Sequence, residues 1–134
     1  MKTVCGVFLL ASLLLIAVTG CIGQDAGDVP VGYIDVSASQ AKEMIDSGEF
    51  FLLDVRTQEE YDEGHISGST LIPVEVIGSR LDELPEDMKI LVYCRTGIRS
   101  ARASQVLVDN GFEQVYNMKG GINEWMNSGY EVEK

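Results

Sequence analysis

From residue 33 onward the alternation of hydrophobic and polar positions changes period several times, and each change marks an element. "YIDV" (33–36), "FFLLDV" (50–55), "STLIP" (69–73), "ILVYC" (90–94) and "QVYNM" (114–118) read as five strands. Two of them, 50–55 and 90–94, are nearly continuous hydrophobic runs, the pattern of strands covered on both faces, so they are expected at the centre of a sheet. Between the strands the pattern turns helical. "SASQAKEMIDSG" opens with Ser37 and Gln40 in a capping box and stops at Gly48, and "TQEEYDEG" offers Thr57 and Glu60 in the same arrangement, ending near Gly64. "RSARASQVLVDNG" spaces Ala103, Val106 and Leu107 for one face of a helix, with Asn110-Gly111 as its stop. "VEVIGSRLDEL" also reads as a helix. Strands alternating with helices predict an α/β domain: a central five-stranded, mainly parallel sheet with helices on both faces.

The first twenty residues follow another rule. Lys2 precedes a largely apolar run from Val4 to Val18, short for a membrane span of about 20 residues and suited to the hydrophobic region of an export signal. The run ends in "VTGC", and small residues leading into Cys21 resemble the lipobox of lipoprotein signals, in which cleavage exposes a cysteine that is then acylated. An uncleaved anchor and ordinary signal cleavage are the alternatives. The expected division is a signal over 1–20, a lipid-anchored tether over 21–32, rich in Gly and Asp, and one folded domain over 33–134. The expected location is the outer side of a membrane, anchored through Cys21.

Charge and cysteine count narrow the chemistry. Loss of Lys2 with the signal leaves nine basic residues against 21 acidic ones, a net charge of −12, which argues against nucleic acid as a partner. The acidic runs "EEYDEGH" and "DELPED" read as solvated faces. Cys5 leaves with the signal and Cys21 is the acylation candidate, so Cys94 has no disulfide partner inside the domain. A free thiol on the oxidising side of a membrane is a liability unless it is buried or used.

Cys94 ends a central strand, and the next helix begins about five residues later, the place where open α/β sheets put their sites. A tight "CRTGIR" loop turns successive N–H groups inward as an anion-binding nest, and the helix N-terminus adds about half a positive charge. Gly97 supplies freedom at the tip. Arg95, Arg99 and Arg102 bring three guanidiniums close by in sequence. Such surroundings lower a thiol from about 8.5 to about 3.5–7.5, and Cys94 is expected to be a thiolate at neutral pH. Distant surface carboxylates do not prevent anion binding, because the Debye length at physiological ionic strength is about 8 Å. A small apolar filler at a strand end is the bland alternative for Cys94.

"YCRTGIRS", together with "LLDVRTQEEYDEGHISGS" (52–69) and "KGGINEW" (119–125), resembles the single-domain rhodaneses, in the order and roughly the spacing of that family. The resemblance covers nearly all of 33–134. It implies a sulfurtransferase whose cysteine takes a sulfane sulfur from thiosulfate or a similar donor, holds it as a persulfide and passes it to a thiol or cyanide. Carried over, Cys94 is the nucleophile, and Arg95, Thr96, Gly97, Ile98 and Arg99 form the loop that cradles the sulfur and binds the donor. Thr96 is neutral where two-domain thiosulfate enzymes carry a second cation. The Cys-x4-Arg spacing is one residue shorter than the Cys-x5-Arg of related phosphatases and arsenate reductases, which favours sulfur over a tetrahedral oxyanion. No cofactor and no metal are expected.

Supporting residues follow from both lines of reasoning. Asp54 and Arg56, ending the second strand at the same sheet edge, read as an internal ion pair beneath the loop. His65, the only histidine, reads as structural, since a nest that already makes a thiolate needs no general base. Trp125 reads as an apolar anchor over the sheet. Gly120 and Gly121 either let the backbone pass close to the loop or simply make a turn. A non-enzymatic rhodanese-like binding or persulfide-carrier module is the main functional alternative, and phosphatase or arsenate reductase chemistry from the same nest is a lesser one.

Overall fold

The computed structural model describes residues 32–134. The signal, Cys21 and the tether up to Val31 lie outside the described residues. Five strands, β1 (Ile34–Val36), β2 (Phe50–Asp54), β3 (Thr70–Leu71), β4 (Lys89–Tyr93) and β5 (Val115–Met118), form one sheet in the order β1-β5-β4-β2-β3. Every pairing is parallel. The four α-helices are α1 (Ala38–Ser47), α2 (Gln58–Glu63), α3 (Ile98–Asp109) and α4 (Gly121–Asn127).

The two continuous hydrophobic runs are the central pair, with Leu52 opposite Leu91 and Leu53 opposite Val92. Alternation along them sends side chains into two cores. Leu53, Val55, Ile90, Val92 and Val115 meet Ala103 and Leu107 of α3, while Leu52, Leu91, Tyr93 and Met118 meet Ala41 of α1 and Ile122 and Trp125 of α4. Both faces are therefore covered, and β2 and β4 carry no solvated side.

Both capping boxes are present. The Ser37 hydroxyl accepts the Gln40 N–H while the Gln40 side chain accepts the Ser37 N–H, and Thr57 and Glu60 make the same exchange at α2. Gly48 closes α1 at φ +74°, in the left-handed region.

Two elements differ from the sequence expectation. "VEVIGSRLDEL" is not one helix but two 3-10 turns, Ile77–Ser79 and Leu81–Glu83. Its apolar positions Val74, Ile77, Leu81 and Leu84 do pack on the α3 side of the sheet, which satisfies the spacing. Interior Gly78 and the β-branched Val74, Val76 and Ile77 lower helix propensity, and single 3-10 turns are enough to deliver the anchors. In the other direction, "GGINEWMN" forms α4, a helix hidden behind two glycines that look like turn residues.

Candidate active site

In the strand order, β2 leads outward to β3 and β4 leads the opposite way to β5, so the order in which strands are added switches sides between the parallel neighbours β2 and β4. The crevice at the carboxyl ends of such neighbouring strands is the binding position of open α/β sheets. Cys94 follows β4 there, and Asp54 and Arg56 end β2 beside it.

The sulfur of Cys94 is enclosed; the residue is 1% exposed. The Gly97 N–H donates to Sγ at 3.1 Å and the Ser100 hydroxyl donates at 3.4 Å. Burial pushes the thiol up, but hydrogen bonds from the Ser100 hydroxyl and from the N–H groups of Ser100, Thr96 and Gly97 outweigh it, leaving Cys94 below its ordinary value. The leading stabilisation thus comes from oriented backbone and a hydroxyl rather than from the arginines. Ser100 lies two residues into α3 and is fully buried. Sequence reasoning passed over it because a serine at the start of a helix is ordinary; its place in the first turn of the helix that follows the Cys94 loop was the available signal.

The loop is shaped by tertiary contact. Gly97 has φ +94°, and a Cβ there would lie 3.0 Å from the Gly120 nitrogen. The first turn of α4 clamps the loop from the far side: the Ile122 N–H donates to the Cys94 carbonyl at 2.9 Å, and the Asn123 N–H donates to the Arg95 carbonyl at 3.2 Å. From β5, buried Asn117 donates from Nδ2 to Asp35 at 2.9 Å and to the Gly97 carbonyl at 3.5 Å. Gly120 and Gly121 therefore serve the close approach as well as the turn.

Asp54 and Arg56 form a buried pair. Arg56 Nη2 donates to Asp54 Oδ2 at 2.7 Å and to the Gly64 carbonyl at 2.8 Å. Burial opposes the charge on Arg56, but hydrogen bonds and charge from Asp54 outweigh it and keep the guanidinium protonated. Beneath it, burial and the charge of Asp54 push the Tyr93 phenol well above its usual range, so its hydroxyl stays protonated and donates to Ser69 Oγ at 3.0 Å.

The arginines of the loop divide. Arg95 and Thr96 are exposed at the mouth, and Ile98 is 71% exposed beside them. Arg99 instead turns to α2, where Nη1 and Nη2 donate to Glu60 Oε2 and Oε1, both at 2.8 Å. This bidentate pair corrects the reading of "EEYDEGH" as a wholly solvated run, because Glu60 is only partly exposed and its carboxyl is held down to about 2 by the Arg99 hydrogen bonds. Arg102, one turn into α3, is exposed. His65 is not among the hydrogen-bond partners of the sulfur. Its ring stacks on Tyr61 with centroids 3.8 Å apart, Nδ1 lies 2.9 Å from the Tyr61 carbonyl, and its backbone pairs with Glu133. Trp125 is buried and its indole N–H donates to the Glu131 carbonyl at 2.9 Å. Among the described residues no group of three or more His, Cys, Asp or Glu side chains is placed to hold a metal ion.

A family model described as a Rhodanese-like domain matches residues 37–128. A sulfurtransferase of Allochromatium vinosum is 33% identical over 96 residues, covering 72% of this chain and 90% of that protein. The thiosulfate sulfurtransferase GlpE of Actinobacillus pleuropneumoniae is 33% identical over 101 residues, covering 75% of this chain and 94% of that protein. Other curated relatives are longer, and the matched region spans between 28% and 59% of them. Among solved structures, a rhodanese-related protein from Thermoplasma volcanium superposes with a TM-score of 0.70 at 33% identity, covering 75% of this chain and 98% of that one.

Proposed function

The chain belongs to the rhodanese-like domain family, and on that footing we propose that it is a sulfurtransferase working through a persulfide on Cys94. The observation that carries the reading is the sulfur itself: an enclosed thiol lowered by hydrogen bonds from Gly97 and Ser100, at the carboxyl end of β4 beside β2. In the first half-reaction the Cys94 thiolate attacks the outer sulfur of the donor. With thiosulfate, the Cys94–sulfur bond forms as the donor's sulfur–sulfur bond breaks, and sulfite leaves with the electron pair. The N–H groups that hold the thiolate then face the persulfide anion, so the charge stays within the nest.

In the second half-reaction a thiolate or cyanide attacks the terminal sulfur and regenerates the Cys94 thiolate. Cyanide leaves as thiocyanate and a thiol as its own persulfide. The hydrogen bonds from Gly97 and Ser100 favour the ionised form of the nucleophile and the leaving groups are anions, so the reading assigns no general base. Arg95, exposed at the mouth, meets the anionic donor. The "VTGC" junction and the tether support placement on the outer face of a membrane through a lipid on Cys21.

The test is direct. Incubation with thiosulfate is expected to add the mass of one sulfur atom to the peptide carrying Cys94, with sulfite released, and cyanide or a thiol is expected to remove it. Steady-state rates should give the parallel lines of ping-pong kinetics. Cys94→Ser should lose both loading and turnover while its circular dichroism is unchanged. A wild-type Cys94 that is alkylated yet accepts sulfur from no sulfane donor would overturn the reading and leave a binding module.

A further inference from the structure

Arg99 is the loop cation that spacing alone points at the donor, yet both its terminal nitrogens are spent on Glu60. The pair is partly enclosed, with side chains 27% and 19% exposed. Arg99 also feels the negative charges of Cys94 and of Glu75, so it stands in the field of the reacting sulfur with its own charge already met. Glu60 is fixed in turn: Oε2 also accepts the Thr57 N–H at 3.1 Å as part of the α2 capping box.

The cleft beside the Cys94 loop extends this balance. Arg56, Arg95, Glu60 and Glu63 line it, and Ile122, Met126 and Val132 give it apolar walls. Arg56 is paired with Asp54 and Arg99 with Glu60, and Arg95, exposed and with no ion-pair partner among the described residues, shares the lining with Glu63, so the three guanidiniums are matched in number by three carboxylates. A dianion entering this cleft finds hydrogen-bond donors but no excess of positive charge. An organic donor with an apolar stem and at most one charge at its sulfur fits both features.

We infer that Glu60 is a specificity-determining positioning residue: by occupying Arg99 beside Cys94 it tilts the site toward organic persulfides, R–S–SH, and away from dianionic thiosulfate. The inference rests on the sulfurtransferase reading and names its donor class. With such a donor the Cys94 thiolate attacks the terminal sulfur, the new sulfur–sulfur bond forms as the old one breaks, and R–S⁻ leaves with the electron pair, giving Cys94–S–SH. Atoms and charge balance without an oxidant or reductant. Thiosulfate is a substrate of the same site, used less well.

Glu60→Gln tests this with little risk to the fold, because glutamine also completes a capping box and keeps an acceptor for Arg99. Full-length protein purified in detergent is assayed with thiosulfate and with 2-hydroxyethyl persulfide, each with cyanide as acceptor. Freeing one charge beside the reacting sulfur, at an effective dielectric of about 20, should raise the ratio of kcat/KM for thiosulfate over persulfide about tenfold. Glu60→Asp keeps the charge and should leave the ratio within about twofold of wild type. A second measurement needs no turnover: the rate of Cys94 alkylation by anionic iodoacetate relative to neutral iodoacetamide should rise in Glu60→Gln alone. Loading with both ratios unchanged in Glu60→Gln overturns this inference and leaves the sulfurtransferase reading standing. Failure of both donors to load wild-type Cys94 overturns that reading and the donor class with it, while the alkylation ratio still reports the charge that Glu60 cancels.

Discussion

Gly121 is packed against the backbone of Arg95 so closely that a Cβ on it would lie 2.5 Å from the Arg95 carbonyl carbon and 2.5 Å from the Cys94 carbonyl oxygen. Its φ of +58° is also in the left-handed region. Gly121→Ala must move the Cys94 loop, since backbone cannot yield as a flexible side chain can. The expected cost is at least about 2 kcal/mol of stability by chemical denaturation, and sulfur loading of Cys94 should fall with it even where the variant is folded. Gly111, also at positive φ but in open space, is the control: Gly111→Ala meets nothing within 4 Å and should retain loading.

Ser100 donates a hydrogen bond from its hydroxyl to the Cys94 sulfur at 3.4 Å. Its hydroxyl leads the interactions that hold the Cys94 thiol down against burial. Ser100→Ala removes that donor and should shift the midpoint of iodoacetamide reactivity against pH upward, so alkylation at neutral pH slows while the plateau at high pH is kept. The sign also fixes the stability change. A thiol whose folded value lies below its unfolded value adds stability above the unfolded value, and that stability is lost as pH falls through the folded value. Wild type and Ser100→Ala should therefore differ more in alkali than in acid.

His65 lies with Nδ1 2.9 Å from the Tyr61 carbonyl, a contact expected of a scaffold residue. Its stacking on Tyr61 and its backbone pairing with Glu133 tie the segment after α2 to the residues that follow α4. His65→Gln should lower stability by about 1 kcal/mol and leave the rate of sulfur loading within about twofold of wild type. A loss of activity by the factor of about 10²–10⁴ that marks a missing general base, with stability intact, would move His65 into the chemistry.

Cys21 tests the placement outside the cell's cytoplasm. Processed wild type should partition with membranes carrying an acylated Cys21 at its amino terminus, whereas Cys21→Ser should be released or stay unprocessed. An unmodified Cys21 in soluble mature protein would sink the lipid anchor.

Much of the frame was legible in the chain because it depends on neighbours in sequence. The periods of "FFLLDV" and "ILVYC" announce strands buried on both faces, and Ser37 with Gln40, and Thr57 with Glu60, announce helix starts, since each is a hydrogen-bond exchange across three residues. The same locality made Cys94, ahead of Thr96 and Gly97, readable as a thiol in a nest. Where local rules compete, the sequence misleads: apolar spacing in "VEVIGSRLDEL" suits a helix, and Gly78 with its β-branched neighbours yields two 3-10 turns instead.

What the sequence could not determine is which loops meet at the sheet edge. Arg99 and Glu60 are 39 residues apart, and nothing within either segment tells an arginine aimed at a substrate from one already paired. Gly121 reads as a turn until α4 is set against Arg95, and its glycine character then becomes a requirement of space. Those relations are fixed by packing: β2, β4 and β5 must lie side by side to bury their shared cores, and only then do α2, α3 and α4 bring Glu60, Ser100 and Gly121 against the Cys94–Arg99 loop. A period of two or 3.6 residues states what a segment will bury, but the partner that buries it is chosen by the whole chain.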